Sequence, residues 1–196
     1  GIETITLNGP EKLHASNGKM MSEMHVAFDM NDEEDNVKAV IVTGSGRAFC
    51  AGADLSEGAK TFDYDALGVG RGGGGPPTRA DGSTDYSHHA VRDGGGRLTL
   101  RIFESLKPVI GAINGAAVGI GVTMQLAMDV RIASEAARFG FVFARRGIVP
   151  EAASSWFLPR IVGIQTALEW TYSAEIIDAQ TAKDGGLFKS VHAQDA

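Results

Sequence analysis

Short β-branched runs alternate along the chain with longer stretches in which apolar side chains recur at helical spacing. In "GIETITLNGP", Ile2, Thr4 and Thr6 alternate with Glu3, Ile5 and Leu7 before a Gly-Pro stop, which predicts a strand entering a turn. "MMSEMHVAFDMNDEEDN" carries Met20, Met21, Met24 and Phe28 at helical spacing and predicts an amphipathic helix whose methionines pack into the core. "VKAVIVTG" has the composition of a buried parallel strand, and the small-residue segment "GRAFCAGADLS" follows it. Leu98, Ile102 and Leu106 predict a helix ending near Lys107-Pro108. "VIGAING" then reads as a strand, "VTMQLAMD" as a helix, "VRIAS" as a strand, "ARFGFVFARRGIVP" as partly extended, and "EAASSWFLPRIVG" and "IQTALEWTYS" as helices. Strands alternating with helices predict one α/β domain with a largely parallel sheet. At 196 residues the chain can bury a sizeable core.

Residues 59 to 97 break this pattern. They are rich in glycine and polar residues and poor in large aliphatics, which predicts a surface insertion or lid within the domain. "GVGRGGGG" is not a phosphate loop by context, because no strand precedes it and no helix pattern opens after it. His88 and His89 lack further ligands at useful spacing, so no metal site is expected.

Composition narrows the partners. A net charge of −6 argues against nucleic acid, which needs a basic surface. The single cysteine, Cys50, excludes an internal disulfide and reads as a buried, inert thiol in a reducing compartment. Neither a signal peptide nor an apolar run of membrane-spanning length is expected from the sequence pattern. A cytoplasmic location is expected, with the peroxisomal or mitochondrial matrix as eukaryotic alternatives. The first residue is Gly1 rather than Met, so it need not be the native start.

Twenty-six glycines are concentrated in turns, and two of those turns share a design. "AGADL" (51 to 55) and "AVGIGVT" (117 to 123) each follow a buried strand and use glycine to bring backbone into close approach. Where such a turn opens a helix, its first N–H groups have no partner within the helix. Two such turns converging would make an oxyanion hole, although Gly-rich turns of this kind also arise from packing alone.

"ITLNGPEKLHA", "AVIVTGSGRAFCAGADLS", "KPVIGAINGAAVGIGVTMQLAMDVRIAS" and "FGFVFARRGIVPEAASSWFLPRIVG" resemble, in order, the crotonase superfamily of enoyl-CoA hydratases and isomerases. The resemblance implies a ββα superhelix and a CoA thioester as substrate, with no other cofactor. It implies an oxyanion hole at the N–H groups of Ala53 and Ile120. It places Ala51, Gly52, Asp54, Leu55, Ser56, Gly119 and Phe143 along the substrate site, with Lys12 near the CoA phosphates. It also implies a homotrimer or a dimer of trimers. The C-terminal helical region expected of the family would begin just after "GGLFKSVHA", where this sequence stops.

The departures are informative. The two glutamates that hydratases of the family use fall at Thr123 and Phe143, neither of which can ionise as a carboxylate. Glu151, in "GIVPEAASS", falls where the Δ3,Δ2-enoyl-CoA isomerases carry their base. Burial near Phe143, Val149 and Trp156 would raise its pKa. A structural reading is also open: Pro150 suits the first position of a helix, and an acid next to it suits the positive end of the dipole. Isomerisation with Glu151 as base is the expected activity. Another crotonase activity (hydration, or a lyase or hydrolase reaction) and non-catalytic acyl-CoA binding are the alternatives.

Overall fold

In a computed structural model, residues 1–56, 58, 77–86, 88 and 91–194 are described. Two sheets carry the fold. The larger is entirely parallel, in the order β1 (Ile2–Leu7), β2 (Ala39–Gly44), β4 (Val109–Ile113), β6 (Val130–Ser134), β9 (Ser190–His192). The smaller runs β3 (Ala48–Cys50), β5 (Ala116–Val118), β7 (Arg138–Gly140), β8 (Ile176–Asp178), with only β8 antiparallel to its neighbour.

The chain makes the same move three times. β2, β4 and β6 pair in the large sheet, and after a tight turn β3, β5 and β7 pair in the small one. Each repeat then enters a helix: α2 (Gly94–Phe103), α3 (Ile120–Thr123) and α4 (Phe143–Arg146). This is the expected ββα superhelix. α1 (Gly18–Glu33) joins β1 to β2, and α5 (Ser154–Val162), α6 (Ile164–Ser173) and α7 (Ala179–Asp184) follow the third repeat. The core lies between the layers and includes Phe28, Phe49, Leu98, Ile113, Met124, Phe139 and Phe141, all of them inaccessible or nearly so.

Side chains lock the corners between repeats. Asn114 accepts from the Gly44 N–H at 3.0 Å and donates to the carbonyls of Gly46 and Ala48, so it stands in for the main chain where β2 turns into β3. Asp129 accepts from the Val109 N–H at 2.7 Å and so joins the start of β4 to the segment before β6. α1 and α2 are tied by Arg101, which donates to Asp29 and Asp32 at 2.8 and 2.7 Å. Met24 is buried, and Met20 and Met21 pack on the same cluster.

Several elements differ from the sequence pattern. α2 begins at Gly94 under an Asp93 cap, so residues 94–97 belong to a helix rather than to the glycine-rich stretch. It ends at Phe103, leaving Leu106 78% exposed beyond it. The predicted helix over "VTMQLAMD" is a single α-turn, α3, followed by a 3-10 turn over Met124–Ala127. α5 starts at Ser154, so Pro150 is not its first residue and Glu151 lies three residues ahead of it. "GVGRGGGG" and His89 lie outside the described residues.

Among the described glycines, the tightest backbone approach is between β3 and α3. A Cβ on Gly121 would sit 2.0 Å from the carbonyl oxygen of Cys50, so only glycine lets α3 lie against that strand end. Gly121→Ala is therefore expected to destabilise the chain by more than about 3 kcal/mol, because the clash is with backbone and cannot relax through a rotamer. Urea unfolding followed by circular dichroism measures it, and a loss within about 0.5 kcal/mol would show that the approach is not obligatory.

Candidate active site

Both glycine turns predicted from the sequence lie at this contact. After β3 the chain passes through Gly52 at φ 108°, and after β5 through Gly119 at φ 54°, conformations that favour glycine. The two turns back onto one another: a Cβ on Gly119 would lie 3.8 Å from the Gly52 Cα, and one on Gly52 would lie 3.2 Å from the Val118 carbonyl oxygen.

The first turn is pinned from its other side. The Ser16 N–H donates to the Gly52 carbonyl at 2.7 Å and the Asp54 N–H donates to the Ser16 carbonyl at 2.8 Å, a parallel bridge centred on Ala53. The Ala51 N–H donates to the Leu13 carbonyl at 3.0 Å. The bridge occupies the groups on either side of Ala53, and the Ala53 N–H itself has no hydrogen-bond partner among the described residues. The same is true of Ile120, the first residue of α3, whose N–H precedes any acceptor within its own helix.

His14 supports this edge from beneath. It is buried, its Nδ1 accepts from the Gly9 N–H at 2.8 Å, and its Nε2 lies 2.6 Å from the Ser45 carbonyl oxygen. Those contacts require the neutral ring with its proton on Nε2. At the rim, Lys12 donates to Asp54 and Ser56, each at 2.8 Å. The Lys12 ammonium, with Ser56, holds the half-buried Asp54 carboxyl down to about 2.

Glu151 approaches from the third repeat. Its Oε1 accepts from the Thr123 hydroxyl at 2.8 Å, at the end of α3. Its Oε2 is 2.7 Å from where a Cβ on Gly95 would stand, and the Ile120 Cδ1 is equally close to that point. The base candidate and the second amide candidate are thus neighbours. Burial pushes the Glu151 carboxyl up to about 7; the Thr123 hydrogen bond pulls it down, and the charge of Asp93 adds to the rise. The Thr123 hydroxyl also lies 3.2 Å from the Gly119 carbonyl oxygen. It can donate to an ionised Glu151, or accept from a protonated one while donating to Gly119, so both protonation states are served.

The main chain carries Glu151 into place at a cost. Ala152 and Ala153 both adopt left-handed backbone, φ 54° and 55°, and the Ser154 N–H closes back on the Glu151 carbonyl at 3.0 Å. Two consecutive non-glycine residues in that region are strained, and strain of this kind gathers at functional sites. The shielding differs in source from the expected one. Val149 is 79% exposed and Trp156 57% exposed, with the Trp156 ring under the Arg160 guanidinium, so neither walls off the carboxyl. Gly95 and Ile120 stand against it instead.

Of the other candidates, Leu55 is 43% exposed and Ser56 exposed at the rim. Phe143 is 2% exposed, with its ring in the core. Arg145 and Arg146 are exposed on α4. Cys50 is inaccessible, and burial pushes its thiol up to about 11. Among the described residues no group of three or more His, Cys, Asp or Glu could hold a metal ion, and no helix is long and apolar enough to cross a membrane. Sequence reasoning passed over Gly95 and Asp93. "RDGGGRLTL" holds an N-cap signal, an aspartate ahead of a run with Leu98 and Ile102, but the neighbouring glycines concealed it.

The chain as a whole is similar to known proteins. The enoyl-CoA hydratase/isomerase family profile matches residues 2–194. Enoyl-CoA hydratase ACTT3 of Alternaria alternata is 38% identical over 188 residues, 96% of this chain and 56% of its own length. The 1,2-epoxyphenylacetyl-CoA isomerase of Escherichia coli is 30% identical over 191 residues, 97% of this chain and 66% of its own. The crystal structure of an enoyl-CoA hydratase from Bacillus anthracis superposes with a TM-score of 0.82 at 32% identity, over 98% of this chain and 66% of that one. The chain belongs to the enoyl-CoA hydratase/isomerase family, the crotonase superfamily. It spans a little over half the length of the first of these relatives.

The raised Glu151 pKa carries a stability consequence. Folding lifts the carboxyl from 4.5 to about 7, so the folded chain binds this proton more tightly than the unfolded one. The stabilisation is complete below the unfolded value and is lost as pH rises through the folded one. Glu151→Gln is expected to be more stable than the native chain at pH 8 by about 1–3 kcal/mol, and to lose that advantage toward pH 5. Urea midpoints at the two pH values check this; an advantage independent of pH would mean the carboxyl does not titrate as described.

Proposed function

We propose that this chain is an acyl-CoA enzyme that moves a double bond of an enoyl-CoA from Δ3 to Δ2, with Glu151 as its base. Glu151 removes a proton from C2 of a 3-enoyl thioester. The electron pair delocalises through the C3–C4 double bond and the thioester carbonyl, giving a dienolate. The Ala53 and Ile120 N–H groups donate to its oxygen, each preorganised donor being worth about 3 kcal/mol. Protonated Glu151 then returns the proton to C4, and the double bond re-forms between C2 and C3.

The observation that carries this reading is a single half-buried carboxylate poised at about 7, hydrogen-bonded to Thr123 and packed beside Ile120. A base near neutrality can take a proton and give it back in one cycle. Thr123 and Phe143, at the two hydratase positions, lack the charge to hold and activate a water. The reaction runs on this chain's side chains and amides, with the CoA thioester as substrate. The turn from Ala51 to Ser56, Gly119 and Phe143 would border the acyl-CoA, and assembly as a homotrimer or dimer of trimers belongs to the same proposal.

Hydration is the second reading, favoured by relatives named enoyl-CoA hydratase. Incubation with a 3-enoyl-CoA and with crotonyl-CoA, followed by product identification, separates the two. The 2-enoyl isomer is expected from the first substrate, and Glu151→Gln is expected to lower its formation by about 10²- to 10⁴-fold. Formation of a 3-hydroxyacyl product alone, or full isomerisation by the variant, would overturn the proposal.

A further inference from the structure

We propose that Asp93 is a positioning residue for Glu151: the two carboxylates bracket Gly95 at the first turn of α2, and the charge of Asp93 biases Glu151 toward holding a proton. The inference rests on Glu151 being the base, and extends it to the residue that caps the helix of the first repeat.

The geometry is specific. The point where a Cβ on Gly95 would stand is 2.7 Å from the Glu151 Oε2 and 3.0 Å from the Asp93 Oδ1. The two oxygens therefore both lie beside the place that a single absent side chain would fill. Ile120 Cδ1, also 2.7 Å from that point, is the third neighbour. Gly95 is buried and Glu151 half-buried while Asp93 is exposed, so solvent screens part of the Coulomb coupling and leaves the rest.

Asp93 is held there by its other duty. Its Oδ1 accepts from the Gly96 N–H at 2.7 Å and its carbonyl accepts from the Arg97 N–H at 3.0 Å, so it caps α2. Glu151 has no cap; it has the Thr123 hydroxyl, which can serve a protonated or an ionised partner. From β3, Cys50 feels the Glu151 charge, but burial keeps its thiol neutral near pH 7. Asp93 is the charged group that acts on Glu151.

The base must leave its resting state ready to accept a proton and then keep that proton long enough to deliver it two carbons away. A nearby fixed negative charge strengthens the base for the first step. It also favours the neutral acid while the dienolate forms.

The test uses Asp93→Asn and Asp93→Ser, both of which cap a helix about as well as aspartate but carry no charge. The Glu151 carboxyl is followed by 13C NMR against pH in the protein without substrate, its signal assigned by its loss in Glu151→Gln. Both variants are expected to keep native circular dichroism and to lower the Glu151 midpoint by about one pH unit. The pH profile of C2 hydrogen–deuterium exchange on an acyl-CoA ester is expected to move the same way. An unchanged midpoint in folded variants would reduce Asp93 to a cap and overturn the inference. If instead the midpoint moves while Glu151→Gln still exchanges C2 fully, the coupling stands and the assignment of the base fails.

Discussion

The structure turns on one close approach of backbone to backbone, where α3 lies on the end of β3. With hydrogen alone at Gly121 the helix start meets the Cys50 carbonyl, and with Gly52 and Gly119 in positive φ the two following turns stand back to back. Nothing larger could be accommodated without parting the two repeats. What the contact secures is orientation. The bridge between Ser16 and Ala53 uses the neighbouring donors and acceptors and leaves the Ala53 N–H over. The start of α3 leaves that of Ile120 over in the same way. Unpaired amides are costly to bury; preorganised, they are a resource for an anionic oxygen.

The acid supplied by the third repeat complements that pair. Glu151 is reached through two strained alanines and lodged where water is partly excluded, which makes its ionisation expensive and its basicity high. Thr123 moderates this without removing it, since a hydroxyl follows the proton while a carboxylate at the same place would compete for it. Stability and reactivity pull in opposite directions at this residue, as they often do in sites that depend on a shifted pKa.

The repeating strands were legible because they are local. β1, β2, β4 and β6 are alternating or β-branched runs, the first three of them ended by Gly, Pro or Asn signals, and the two glycine turns stand out from their surroundings. The short strands β8 and β9 pair with segments distant in sequence and carry too few residues for a period to register. The start of α2 was hidden because Gly94, Gly95 and Gly96 oppose helix propensity; the Asp93 cap and packing against Met21 and Ile120 override it. The position of Glu151 ahead of α5 was also unreadable, because Ala152 and Ala153 give no local sign of left-handed backbone. The Thr123–Glu151 hydrogen bond joins residues 28 apart, and only the stacking of the second and third repeats brings them together.

The central claim is that two idle amides and one acid converge on a thioester oxygen and its α-carbon. Amide 1H–15N spectra of the chain titrated with an acyl-CoA ester test it most directly. The account predicts that the Ala53 and Ile120 amide protons move downfield together as the ester binds, ahead of any turnover. An ester that binds while both signals stay in place, with the shifts collecting elsewhere on the surface, would contradict it.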